Sequence, residues 1–137
     1  MPPAPLPHLA VLTRLGRSAI HGVGVFAIRA IEEGTQLFAH DDAEISWIDS
    51  ASVDEAGLEP AERALYVDFA IRRDGKLGCP ISFDLLTPGW YVNQPRDGEA
   101  ANLRATNDLR LIAARDIAAG EELTICYSAF NRGPAWE

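Results

Sequence analysis

The chain has 137 residues, a formal net charge of −8, 47% apolar residues and 23% charged residues, proportions that fit a single globular domain with its own core. No run of 18 apolar residues occurs, so no helical membrane span is predicted, and the acidic balance excludes the basic face that direct nucleic-acid binding needs. The two cysteines, Cys79 and Cys126, lack C-x-x-C spacing, which excludes a structural zinc site from this chain alone; one disulfide is allowed but not required, and a reducing cytoplasm is the simpler expectation.

Residues 1–7 are rich in proline and lack the basic-then-apolar order of a signal peptide. They read, with His8, as a flexible arm ahead of one domain over 9–137. Residues 9–13 read as a short strand. Residues 15–24 carry Gly16, Gly22 and Gly24 and read as a loop, followed by a strand over 23–28, a turn over 31–34 and a strand over 35–39. Residues 40–58 are acidic and read as irregular, although Ser52 and Glu55 have capping-box spacing. A short helix is predicted over 60–66, with Pro60 in its first turn. Residues 67–72 and 77–83 flank Arg-Asp-Gly-Lys, a strong hairpin signal. Residues 84–104 read as loop broken by Trp90, Tyr91 and Val92. A strand over 109–114, a turn over 118–120 and a last strand over 122–127 complete the chain. Many short strands with one or two short helices predict an α+β domain that is mostly β.

Some chemistry is absent by pattern. His8, His21 and His40 have no metal-ligand spacing, no Ser-His-Asp or Cys-His set has local support, and no phosphate loop occurs. The pairs Glu32-Glu33 and Asp41-Asp42 read as solvated charge.

Three segments carry more. The first is Arg-Ser-Ala-Ile-His-Gly-Val-Gly-Val-Phe-Ala at 17–27, followed by Ile-Glu-Glu-Gly-Thr at 31–35. The second is Trp-Tyr-Val-Asn-Gln at 90–94, with Ala-Asn-Leu at 101–103. The third is Ala-Ala-Arg-Asp-Ile-Ala-Ala-Gly-Glu-Glu-Leu-Thr-Ile-Cys-Tyr at 113–127. In this order they resemble the SET-domain family of protein lysine methyltransferases. The closing run, with its Gly-Glu-Glu-Leu-Thr, is the most specific of the three. The resemblance spans 17–39 and 90–127. Residues 40–89 match no family pattern and stand where the family places its variable insert.

The resemblance implies a β-clip-like fold of short strands, closed by a C-terminal pseudoknot, without the cysteine-rich flanks of larger relatives. It implies an S-adenosylmethionine-dependent transferase acting on a lysine side chain. Gly22, Val23 and Gly24 would approach the cofactor with backbone groups, or serve only a turn. Asn93 would bind the cofactor through its amide. Gln94 stands where the family has histidine, and Asn93 and Asn102 are nine apart where the family spacing is six. Tyr127 is the candidate catalytic residue and also touches the cofactor. Tyr91 and Phe130 are candidates for the substrate channel, and Trp136 for covering the cofactor, against plain packing. No metal is implied.

An acidic chain of this family fits a basic acceptor: a histone, a histone-like or a ribosomal protein. Cytoplasmic location, or nuclear location in a eukaryotic or viral setting, follows from that expectation, and a homodimer is allowed. Two other readings stand beside the enzyme: an inactive SET-like binding module, suggested by Gln94 and the longer 93–102 loop, and an unrelated small β-rich binding domain.

Overall fold

The computed structural model describes residue 4 and residues 6–39, 41, 44–133 and 136. Most of the N-terminal arm, His40 and Asp42 lie outside the described residues. Three small antiparallel sheets of three strands each make up the fold.

The first sheet comprises β1 (Thr13–Arg17), β2 (Val23–Ala27) and, from the end of the chain, β9 (Glu122–Leu123), with β2 in the centre. The strand expected over 9–13 therefore starts later, at Thr13. Residues 7–10 form a turn, in which Leu9 and Val11 donate to the carbonyls of Leu6 and His8. The expected glycine loop shrinks correspondingly, because Gly16 pairs directly with Gly24 across the hairpin. The second sheet comprises β3 (Gln36–Leu37), β8 (Leu111–Ala113) and β7 (Leu103–Ala105), with β8 in the centre.

The third sheet belongs to the insert. β5 (Ile71–Arg73) and β6 (Lys76–Cys79) form the hairpin that Asp74-Gly75 predicted, and both turn residues have positive φ. β4 (Ser46–Asp49) adds to the other edge of β6 and leads into α1 (Ser50–Glu55). The segment read as irregular thus holds a strand and a helix. β4 is only four residues long and its pairing partner lies about thirty residues away, so no local signal marks it. The capping box is not at Ser52 but at Glu59 and Glu62, which open α2 (Pro60–Phe69) with Pro60 in the first turn. α2 runs through Val67 and Phe69, where a strand was expected. A capped start lets the helix propagate to the point where residues 71–73 are drawn into pairing with β6. Arg72 donates through Nη2 to the Val67 carbonyl at 3.1 Å, satisfying one acceptor of the last turn.

Two apolar clusters hold these layers. The larger joins Val25, Ala27, Ile31, Leu37, Val92, Leu103, Ala113, Ile117, Leu123 and Ile125. The smaller lies within the insert and joins Val53, Leu77 and Cys79 to Ile48, Tyr66, Phe83 and Trp136.

The closing segment after β9 is gripped from two sides. Ile125 donates to the Asn93 carbonyl at 3.0 Å, and Leu103 donates to the Thr124 carbonyl at 2.9 Å. The Asn102 side chain, 2% exposed, accepts from Thr124 N at 2.7 Å and donates to the Glu122 carbonyl at 2.8 Å. Residues 124–125 therefore lie inside the loop spanned by 93–103, the pseudoknotted closure that is rare among folds. Beyond it, Asn131 and Arg132 reach β5: Arg72 N donates to Asn131 Oδ1, and Arg132 N donates to the Arg72 carbonyl at 2.7 Å.

Replacing Asn102 by alanine strands a buried amide and removes the partner of a carbonyl; urea unfolding of Asn102→Ala should show a loss of about 2–4 kcal/mol. Cys79 and Cys126 are both free thiols, and burial pushes the Cys79 thiol up to about 11. Because the folded value is raised, the stability this thiol contributes is complete below its unfolded value and is lost as pH rises toward 11. Cys79→Ala should flatten that alkaline decline in a pH series of thermal melts.

Candidate active site

The loop between β1 and β2 is shaped by one hydroxyl. Ser18 Oγ accepts from Ile20 N at 2.9 Å and His21 N at 3.1 Å, and Gly22, at φ 46°, turns the chain into β2. No atom lies near the position of a Cβ on Gly22, so its role is conformational. Gly24 differs. Its backbone is unstrained, but a Cβ there would sit 2.3 Å from Oε2 of Glu122. Gly24 makes room for a carboxylate of the protein itself.

That carboxylate organises the neighbourhood. Glu122 accepts from Ser18 Oγ at 2.9 Å and from Asn93 Nδ2 at 3.0 Å. Asn93, 7% exposed, also directs Nδ2 at the carbonyls of His21 (3.0 Å) and Val23 (3.2 Å) and at Ser18 Oγ (3.2 Å). Carbonyls and a carboxylate only accept, so they fix the amide with its NH2 toward the loop. Its oxygen is left without a partner among the described residues. Asn93 thus offers an acceptor, held in place by the glycine loop.

Tyr127 follows the closing segment and opens a short 3-10 turn, Tyr127–Ala129, rather than ending a strand. Its backbone N–H donates to Gln94 Oε1 at 2.9 Å, and its hydroxyl donates to the Val92 carbonyl at 3.2 Å. Burial raises the phenol above its ordinary value, a backbone hydrogen bond from Gln94 opposes this, and the charges of Asp68 and Glu122 add to the rise. The hydroxyl is therefore neutral. Its proton is committed to Val92.

Two cavities meet at this tyrosine. One, of about 480 Å³, is lined by Ile20, His21, Val23, Tyr91, Asn93 and Gln94. The other, of about 280 Å³, is lined mainly by apolar groups, among them Leu37, Phe38, Leu111, Ile125 and Phe130, with Asp41 and Arg72. Val67, Asp68, Phe69, Trp90, Val92 and Tyr127 line both, and Asp68 is the one carboxylate in that shared wall. Phe38 (φ 58°) and Leu109 (φ 65°) both line the smaller cavity in left-handed backbone. Strain of this kind costs about 1–3 kcal/mol per residue and concentrates at functional sites.

The sequence pattern of the SET domain matches residues 22–128, most of the chain. The chain belongs to the SET-domain family. No curated protein matches it in sequence. Among solved structures, a Plasmodium falciparum protein assigned as a histone methyltransferase superposes with a TM-score of 0.51 at 17% identity, covering 90% of this chain and 95% of that one. Polycomb Repressive Complex 2 from Chaetomium thermophilum, a humanized mutant bound to the inhibitor GSK343, gives a TM-score of 0.58 at 21% identity over 88% of this chain. An apo form of that complex, mutated in Ezh2, gives 0.55 at 24%. This SET domain spans only 16% and 15% of those two chains. At these identities the likeness establishes the fold.

Within the SET domain, Val23, Asn93, Gln94 and Tyr127, expected at the cofactor, line one cavity together with Tyr91. Gly22 and Gly24 shape its wall without lining it. Phe130 lines the smaller cavity, whereas Tyr91, paired with it as a channel residue, lies on the larger one, edge-on to Phe69 at 5.4 Å. Trp136 is not at the site. Asn131 and Arg132 are bonded to β5, and the Trp136 indole donates to Asp54 at 3.2 Å and lies 4.2 Å from the Arg63 guanidinium. The sequence reading missed Ser18, Asp68 and Trp90. Ser18 stood inside the first segment without a role assigned to it, and Asp68 had no signal, because its segment was read as strand. Among the described residues no group of three or more His, Cys, Asp or Glu side chains is placed to hold a metal.

Gly24→Ala should displace the Glu122 carboxylate and loosen Ser18 and Asn93 together. The expected loss, read by denaturant unfolding, is about 1–3 kcal/mol.

Proposed function

We propose that this SET domain transfers a methyl group from S-adenosylmethionine to a lysine side chain of a basic protein. The observation that carries the reading is a pair of cavities, the larger bordered by His21, Asn93 and Gln94 and the smaller mainly by apolar groups, sharing the wall that contains Tyr127.

The larger cavity fits the cofactor's chemistry. Its volume lies in the range of small-molecule sites, and the unpartnered oxygen of Asn93 suits the ammonium of the cofactor's amino-acid end. Asn93, Val23, His21 and the main chain of Gln94 would hold it, and when bound it supplies a methyl group on a positively charged sulfur. The smaller cavity suits an alkyl amine. Leu37, Phe38, Ile125 and Phe130 give it apolar walls, which disfavour an ammonium and help an amine of ordinary pKa about 10.4 lose its proton. Tyr127, in the wall that both cavities share, would orient the amine and contact polarised methyl hydrogens through its hydroxyl oxygen. Each such contact contributes only about 0.5–1 kcal/mol, so positioning carries most of the effect.

The acceptor's character is supported by charge. Nine of the chain's 20 acidic residues lie within 41–68, where Arg63 is the only base, and the remainder of the chain balances to zero. The whole net charge of −8 therefore sits in residues 41–68, the part of the insert that contributes Asp41, Val67 and Asp68 to the smaller cavity. A field of this sign steers a lysine-rich segment.

Labelled methyl transfer to a panel of basic proteins tests the proposal, and no transfer to any member would reject it. Tyr127→Phe should lower kcat about 100-fold. Asp68→Asn should raise KM for the protein acceptor several-fold with kcat little changed, and transfer should weaken as salt rises from about 0.05 to 0.5 M. A binding module without catalysis predicts no heat on titration with S-adenosylmethionine at millimolar concentration.

A further inference from the structure

The family pattern has a histidine after the asparagine, and this chain has Gln94. The side chain is not idle. Tyr127 is the first residue of a 3-10 turn whose N-cap, Cys126, makes no side-chain bond. The first amides of such a turn have no partner within it. Gln94, 33 positions earlier in the chain, supplies the missing acceptor to Tyr127 N at 2.9 Å.

The neighbours of Gln94 complete the hold. Val92 accepts the Tyr127 hydroxyl at 3.2 Å, and Asn93 bridges Thr124 and accepts from Ile125. Tyr127 is therefore fixed at its hydroxyl by Val92 and at its backbone amide by Gln94, while Asn93 between them holds Ile125. A phenol anchored only at its hydroxyl pivots about that point. With the backbone amide anchored as well, ring and hydroxyl have one position relative to both cavities. A glutamine reaches the amide from the wall of the larger cavity, where it also stands.

We propose that Gln94 is a positioning residue for Tyr127: its side-chain carbonyl fixes the tyrosine backbone so that the hydroxyl stays in the wall between the two cavities. This deepens the methyltransferase reading and rests on it for its catalytic consequence, while the anchor itself does not.

The test uses the full chain, with amide hydrogen exchange at Tyr127 followed by NMR and methyl transfer from S-adenosylmethionine to a histone mixture. Gln94→Leu should speed Tyr127 exchange about tenfold. It should lower kcat about 10- to 100-fold, with both KM values held within about twofold. Gln94→Glu keeps an acceptor of the same reach and should restore exchange and kcat to within about threefold of wild type. Unchanged Tyr127 exchange in Gln94→Leu would overturn the proposal. So would equal losses in both variants, or a rise in KM at constant kcat. If the wild type transfers no methyl group to histones while the exchange pattern follows expectation, the anchor stands and the choice of acceptor or the activity is what failed.

Discussion

The architecture of the site depends on how the closing segment is inserted between residue 93 and residues 102–103. Its backbone is bonded on one side to the Asn93 carbonyl and on the other to Leu103 and the buried Asn102 side chain. None of these partners is near it in sequence, so the insertion orders a long loop at an entropic cost that the hydrogen bonds and the Leu123 and Ile125 side chains must offset. Once made, it sets the other positions. Glu122 arrives beside Gly24, Asn93 is turned toward the glycine loop, and Tyr127 emerges where the two cavities meet.

Glu122 shows how a polar network can sit beside a core without destabilising it. Its carboxylate is opposed by hydroxyl and amide donors rather than by a cation. A carboxylate only accepts, so Glu122 selects the orientation of Asn93. The consequence is chemical as well as structural, because the cavity is presented with an acceptor rather than a donor. The rise in the Tyr127 phenol value has the same origin, with burial first and the two carboxylates, Asp68 and Glu122, behind it.

The insert works differently. It has its own small cluster around Leu77 and its own sheet, and its first part, 41–68, carries the net negative charge of the chain. It is attached to the rest through the end of α2, which walls both cavities, and through β5, which receives Asn131 and Arg132. Trp136 completes that attachment by packing on Arg63 and Asp54.

Local chemistry in the sequence was enough to determine the turn at Gly22, the Asp74-Gly75 hairpin, the start of α2 at Pro60, and the three segments that assemble the site. Each depends on the conformational limits of glycine and proline or on a compact run of residue types. The tertiary structure alone decided the β4 pairing, the extension of α2 through Asp68, the carboxylate behind Gly24, the bond from Gln94 to Tyr127 and the destination of Trp136. These rest on partners tens of residues apart, whose meeting is fixed by burial and by insertion of the closing segment, and no window of sequence contains both halves of such a contact.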